Sequence, residues 1–311
     1  MKHLSVWMIF FIALPVCGAR TVTDESGRVV TVPEHPHRVV CLMPSIVDDV
    51  YALGAGADVV AVTDYVKYPV EARAKRSVGL PQTPSIETIV SLHPDLVLGD
   101  GEMNRTETME RLKGLGISIF IIEPHGIEGI YRSLASIGEA LNRNQTAREL
   151  IGKLRARETA VRQRVSGKPR VSILMPLWYD PVTTIGKHAF ITEVIEIAGG
   201  HSVTSDLEQE WPQVSLEAVL VRKPEALLLV RGSKMSAEQI LTRPGWSNLP
   251  AIRNKRIYYV DDRIEIPGPD VFEALEELAR QFHPRDGVPS SNANKQYLND
   301  RKARCESATT P

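Results

Sequence analysis

Two glutamates, Glu87 and Glu217, each stand two residues after a serine, Ser85 and Ser215. A serine so placed caps a helix N-terminus, so each acid falls in the first helical turn. There it complements the helix dipole. Two acids at equivalent points also offer a matched pair of anionic corners for a partner. Tyr65 follows an apolar run, at the loop position where open α/β sheets gather ligand contacts. Trp211, followed by Pro212, precedes the second capped segment. It reads either as a loop or core anchor or as an aromatic wall for a ligand.

Other chemistries lack their motifs. The histidines at 35, 37, 93, 125, 188, 201 and 283 do not have the close spacing of a structural zinc site. A direct metal receptor needs several converging His and carboxylate ligands; His125 and His188 both fall in loops near a cleft. No Gly-x-Ser-x-Gly elbow, phosphate loop or Gly-x-Gly-x-x-Gly fingerprint is present. Asp48-Asp49 reads as a helix N-terminal turn, not an acid/base pair. The chain is therefore read as a non-enzyme, with an exported α/β hydrolase or lyase as the alternative.

The elements around these residues repeat. Ser85 to Leu98 returns as Ser215 to Leu228, 130 positions later, with Ser, Glu and Pro in register. Each copy is a capped helix, a proline break, an acid and an apolar strand. That offset far exceeds solenoid periods of about 20–50 residues, so it marks two similar lobes with a cleft between them. Arg38-Val39-Val40-Cys41-Leu42-Met43-Pro44 is echoed by Arg170-Val171-Ser172-Ile173-Leu174-Met175-Pro176. Strands alternate with helices, which predicts parallel sheets covered by helices. Helical spacing marks 127–141, 146–165, 191–198 and 271–282, with shorter helices at 48–53 and 106–112. The helix near 146–165 sits at the midpoint. The expected organisation is a signal peptide at 1–19, an N-terminal lobe at 20–142, a linking helix at 143–167, a C-terminal lobe at 168–283 and a disordered polar tail at 284–311.

Composition agrees with an exported globular protein. Of 311 residues, 43% are hydrophobic and 24% charged, and the net charge is −1. That balance supplies no field to recruit nucleic acid or an anionic membrane. Lys2, the apolar run from Leu4 to Val16 and the small residues Gly18-Ala19 form a signal-peptide pattern. Cys17, three residues after Leu14, partly matches a bacterial lipoprotein acylation site. The mature protein is read as free after cleavage behind Ala19, or lipid-tethered at Cys17. Cys41 and Cys305 suggest no disulfide framework.

With these residues in view, the chain resembles the periplasmic substrate-binding proteins of ABC importers, in the group whose two lobes are joined by one rigid helix. The resemblance covers roughly Arg38 to Phe282 and is nearest to the cobalamin-binding branch. Its most specific stretch is Glu210-Trp211-Pro212-Gln213-Val214-Ser215-Leu216-Glu217. Tyr65, Tyr68-Pro69, Pro94-Asp95 and Gly199-Gly200 keep the family's order. The resemblance implies two Rossmann-like lobes, a monomer in the periplasm, a permease dimer with its ATPase as partner, and no resident cofactor. The implied cargo is cobalamin or another metal chelate, with haem and iron–siderophore as alternatives. It further implies ligand contacts at Ser45, Tyr65, Trp211 and Asp262, and permease docking through Glu87 and Glu217. Departures occur at Pro81, Thr183 and Ile266, where the family's cobalamin binders carry tryptophan, phenylalanine and arginine. Trp178 with Tyr179, and Arg263, are the substitutes read for the last two.

Overall fold

The computed structural model describes residues 18–233, 239–240 and 242–284. Cys17 and most of the signal-peptide segment lie outside the described residues, as do Cys305 and the tail beyond Pro284.

The alternating stretch near residue 30 forms a hairpin, β1 (Ala19–Thr23) antiparallel to β2 (Val29–Pro33). The uninterrupted apolar run β3 (Val39–Cys41) is wholly buried, as strands covered on both faces are. α1 (Pro44–Ala52) begins four residues before the sequence expectation at Asp48, because Pro44 occupies its first turn. A proline there gives up only an N–H that has no helical partner, and its φ is preset for helix. β4 (Val59–Val62), the short β5 (Arg76–Ser77) and a small hairpin, β6 (Gly79–Leu80) with β7 (Thr83–Pro84), follow. Then come α2 (Ile86–Ser91), β8 (Leu96–Asp100), α3 (Thr106–Gly114), β9 (Ile119–Ile122) and α4 (Gly126–Ala140). The strands make a parallel sheet ordered β5-β4-β3-β8-β9.

α5 (Asn144–Val165) is the midpoint helix, about 33 Å long at 1.5 Å per residue. Ala147, Leu154 and Val161, spaced by seven, form its buried stripe. It is gripped from both sides. Tyr131 of α4 donates to Glu158 at 2.8 Å, and Arg155 pairs with both oxygens of Glu128 at 2.7 and 2.8 Å. On the other side Arg157 donates to Glu276 at 2.6 Å and Arg164 to the His283 carbonyl at 2.9 Å.

The second lobe repeats the plan with β10 (Val171–Leu174), β11 (Trp178–Tyr179), β12 (Val182–Thr183), α6 (Phe190–Ile197), β13 (Gly200–Ser202) and β14 (Gln213–Val214). α7 (Leu216–Arg222), β15 (Ala226–Val230), β16 (Ile257–Val260) and α8 (Val271–Phe282) complete it. Its parallel sheet is ordered β13-β10-β15-β16, and β11-β12-β14 form a small antiparallel sheet beside it. The fold is thus the expected α/β pair of Rossmann-like lobes. One hydrophobic cluster runs through both, from Val39 and Ile46 to Val194 and Phe272. The Tyr131 and Phe272 rings meet across the lobes with centroids 5.6 Å apart.

The sequence repeat is a structural repeat. Ser85 and Ser215 cap α2 and α7 by accepting from Thr88 N and Ala218 N, each at 3.2 Å. Both helices stop at a left-handed residue before proline, His93 (φ 45°) and Lys223 (φ 50°). A residue before proline is excluded from the right-handed helical region by the ring, which makes the stop local and strong.

Candidate functional site

In both sheets the first strand lies between neighbours reached in opposite directions, β3 between β4 and β8 and β10 between β13 and β15. Ligands of open α/β sheets bind beyond the carboxyl ends of strands at such a switch point. A cavity of about 340 Å³ lies there, between the lobes. The first lobe contributes Met43, Pro44 and Ser45 after β3, Asp100 at the end of β8 with Glu102 and Met103 beyond it, and Pro124, His125 and Gly126 after β9. The second contributes His188 and Phe190 at the start of α6, Glu210 and Trp211 before β14, and Glu265, Ile266 and Pro267 after β16.

Backbone hydrogen bonds shape these walls. Asp100 accepts from the N–H groups of Glu102 and Met103, both at 2.9 Å. Asn104 accepts from Asp100 N at 2.7 Å and donates to the Pro81 carbonyl at 2.7 Å. Pro81 therefore anchors this loop and is not itself a wall of the cavity. Opposite, Gly186 N donates to the Glu210 carbonyl at 2.8 Å and Thr184 N to the Pro212 carbonyl at 3.0 Å. That pairing needs a glycine, since a Cβ on Gly186 would lie 1.9 Å from the Gln209 carbonyl. It fixes the segment from Glu210 to Pro212 that carries Trp211. The two lobes are then keyed together by Glu193 of α6, which accepts from Ile127 N of α4 at 2.9 Å. A carboxylate at a helix N-terminus satisfies an otherwise unpaired N–H and complements the dipole. The cap passes Gly126 (φ 64°), where a Cβ would meet Glu193 Oε2 at 2.4 Å.

The cavity is acidic. Asp100, Glu102, Glu210 and Glu265 line it, and neither Lys nor Arg is among its described lining residues. Burial raises the pKa of Asp100, Glu210 and Glu265, and the charge of Glu102 adds to the rise at Glu210. No group of three or more His, Cys, Asp or Glu among the described residues is arranged to hold a metal ion.

Of the residues singled out in the sequence, Ser45 and Trp211 line the cavity, with Ser45 buried and Trp211 44% exposed. Tyr65, 73% exposed with φ 69°, lies outside its walls. Trp178 also lies outside them; it stacks on Tyr179 with centroids 4.8 Å apart and donates to the Asp180 carbonyl. Asp262 is taken up in a contact between lobes, accepting from Lys67 at 2.8 Å and Tyr68 at 2.9 Å. Burial pushes its pKa up, but these two bonds outweigh that and hold it below the ordinary range. Arg263 pairs with Asp261, Asp270 and Glu273 and lies 5.0 Å from the Tyr68 ring centre. Ile266, one of the departures read from the sequence resemblance, lines the cavity. Sequence reading missed the acidic residues at 100, 102, 210 and 265 as a group. The available signal was partial: Asp100 and Glu102 fall at the end of an apolar strand, but Glu210 and Glu265 lie in longer loops. Asp262→Ala should destabilise the protein by about 1 kcal/mol, discounted because Lys67 is exposed. Hydrogen exchange should rise in the 64–69 loop, and unchanged exchange there would rule out the latch.

The cleft lies between two lobes that share the midpoint helix and one continuous core. The sequence profile of the periplasmic binding protein family matches residues 39–264, and the chain belongs to that family. Its relatives include an uncharacterized ABC transporter substrate-binding lipoprotein, YvrC, of Bacillus subtilis, 30% identical over 272 residues and covering 85% of each chain. The vitamin B12-binding protein of Photorhabdus laumondii is 32% identical over 250 residues, 80% of this chain and 88% of that one. Among solved structures, the periplasmic heme-binding protein RhuT of Roseiflexus sp. RS-1 superposes with a TM-score of 0.71 at 26% identity, over 78% of this chain and 96% of that one.

Proposed function

We propose that this protein is the extracytoplasmic solute-binding component of an ABC importer, and that its cargo is a corrinoid of the vitamin B12 class. The observation that carries the choice of cargo is the charge of the cavity. Four carboxylates line it, and no cation among the described lining residues offsets them. A corrin ring carries amide side chains, whose N–H groups donate to carboxylates. Haem carries carboxylate side chains and would set like charges against the walls, a cost of several kcal/mol where charges are juxtaposed. The likeness to vitamin B12-binding proteins supports the same reading.

Trp211 supplies the apolar face. Large aromatic side chains at the centre of a binding surface dominate its energetics. Trp211→Ala should weaken corrinoid binding about 30-fold, about 2 kcal/mol, with the far-UV spectrum and melting curve unchanged. Titration calorimetry with cyanocobalamin, haemin and a ferric siderophore tests the proposal. Stoichiometric binding of cyanocobalamin in preference to the other two is expected; preferential haemin binding would reassign the cargo, and turnover of any bound compound would end the receptor reading.

A further inference from the structure

Two imidazoles face the same cavity, one from each lobe, and each stands at the start of a helix. His125 is the residue before α4, and His188 lies two residues before α6. The Glu193 cap joins these two helix starts, so both histidines rest on rigid elements. Glu210 lies within electrostatic reach of both. They differ in orientation. His188 Nε2 is 3.1 Å from Glu208, which is not a wall of the cavity. His125 Nε2 turns toward Glu102, which is a wall, and at 3.6 Å it is beyond hydrogen-bond distance.

We propose that His125 ligates the metal of the cargo, giving an imidazole nitrogen to its exchangeable axial site. The inference rests on the corrinoid reading above. An aquacobalamin carries one exchangeable water on cobalt(III). The cobalt–oxygen bond breaks, that water leaves, and the lone pair of the neutral imidazole forms a cobalt–nitrogen bond with no change of oxidation state. The thioethers of Met43 and Met103 also line the cavity, but soft sulfur donors suit soft metals, and imidazole is the better match for cobalt(III). The acidic walls also favour a cargo that is cationic at its metal, as aquacobalamin is. The protein would then prefer cargo with a labile axial ligand over cargo whose axial site is blocked.

The test is an absorption titration of the intact protein with aquacobalamin and with cyanocobalamin, whose axial cyanide resists exchange. Wild type should move the aquacobalamin bands to the position of the imidazole adduct and leave those of cyanocobalamin in place. It should also bind aquacobalamin about tenfold more tightly than cyanocobalamin. His125→Ala should abolish the band shift and bring that ratio to about one; in His188→Ala the band shift should persist. If both corrinoids bind with the spectra of the free compounds, or if His188→Ala alone removes the shift, the assignment to His125 is overturned while the cargo reading stands. Binding of neither would overturn both.

Discussion

Reversal of both Glu87 and Glu217 to arginine should cut uptake at least about tenfold while leaving cargo affinity within about twofold. Each glutamate lies in the first turn of a short helix, and both are exposed. From one residue before each glutamate to two after it the burial classes match in the two copies, with the glutamate exposed and the residue two positions on buried. The pKa of Glu217 is held below the ordinary range, first by its own backbone N–H and then by Ser215, so it is charged at neutral pH. Neither residue lines the cavity. Reversing them therefore changes the outer corners and nothing that touches cargo. Like charges set against a basic partner surface cost several kcal/mol, whereas exposed substitutions seldom disturb the fold. Transport of labelled cargo in cells, beside calorimetry on the purified variant, reads the two effects separately. An equal loss in both would refute the docking role.

The second large effect concerns pH. Burial pushes the Asp48 carboxyl up to about 7, and the nearby charge of Asp270 adds to the rise; Arg263 opposes it. Asp48 stands where the lobes meet, with Gly268 so close that a Cβ there would lie 2.6 Å from its Oδ2. The neighbouring Asp49 is fully buried and raised by the same causes, burial first and then Asp48. Neither of its oxygens has a hydrogen-bond partner. A carboxyl whose folded pKa exceeds its unfolded value binds more protons when folded. Its stabilising contribution is complete below the unfolded pKa and is lost as pH rises through the folded one. For Asp48 that window runs from 3.8 to about 7. The loss amounts to about 4 kcal/mol at 1.36 kcal/mol per pKa unit. Asp48→Asn keeps the shape without the charge. Urea unfolding should show the variant matching wild type near pH 4, gaining steadily, and levelling off at about 4 kcal/mol above pH 8. A stability difference that does not vary with pH would exclude this role.

Much of the fold was legible along the chain because its causes are local. Apolar runs with no polar interruption are strands covered on both faces. A serine three residues before a free N–H caps a helix, and a residue before proline leaves the helical region. These rules act within a few residues and predicted both copies of the repeat. The small errors have the same origin. α1 starts at Pro44 because a proline that ends a strand also begins a helix well, and the apolar pattern does not show which role it takes.

The site was legible only in part. Trp211 and Ser45, read from the recognisable order of the residues around them, line the cavity. Tyr65 and Asp262 were read from the same order, and Trp178 and Arg263 as substitutes where that order fails; the cavity walls include none of the four. Asp262 meets Lys67 across 195 positions, and nothing near either residue announces the other.

Local periodicity, capping and the 130-position repeat were enough to specify two α/β lobes, a midpoint helix and a matched pair of glutamates in capped first turns. The tertiary structure decided which loops face each other. Glu193 capping α4 across 66 positions sets the relation between the lobes. The acidic lining, the place of His125 in the cavity wall and the buried Asp48 likewise appear only in the folded chain. Each depends on packing between elements distant in the chain, where a side chain's surroundings come from other segments and its own neighbours in sequence carry no record of them.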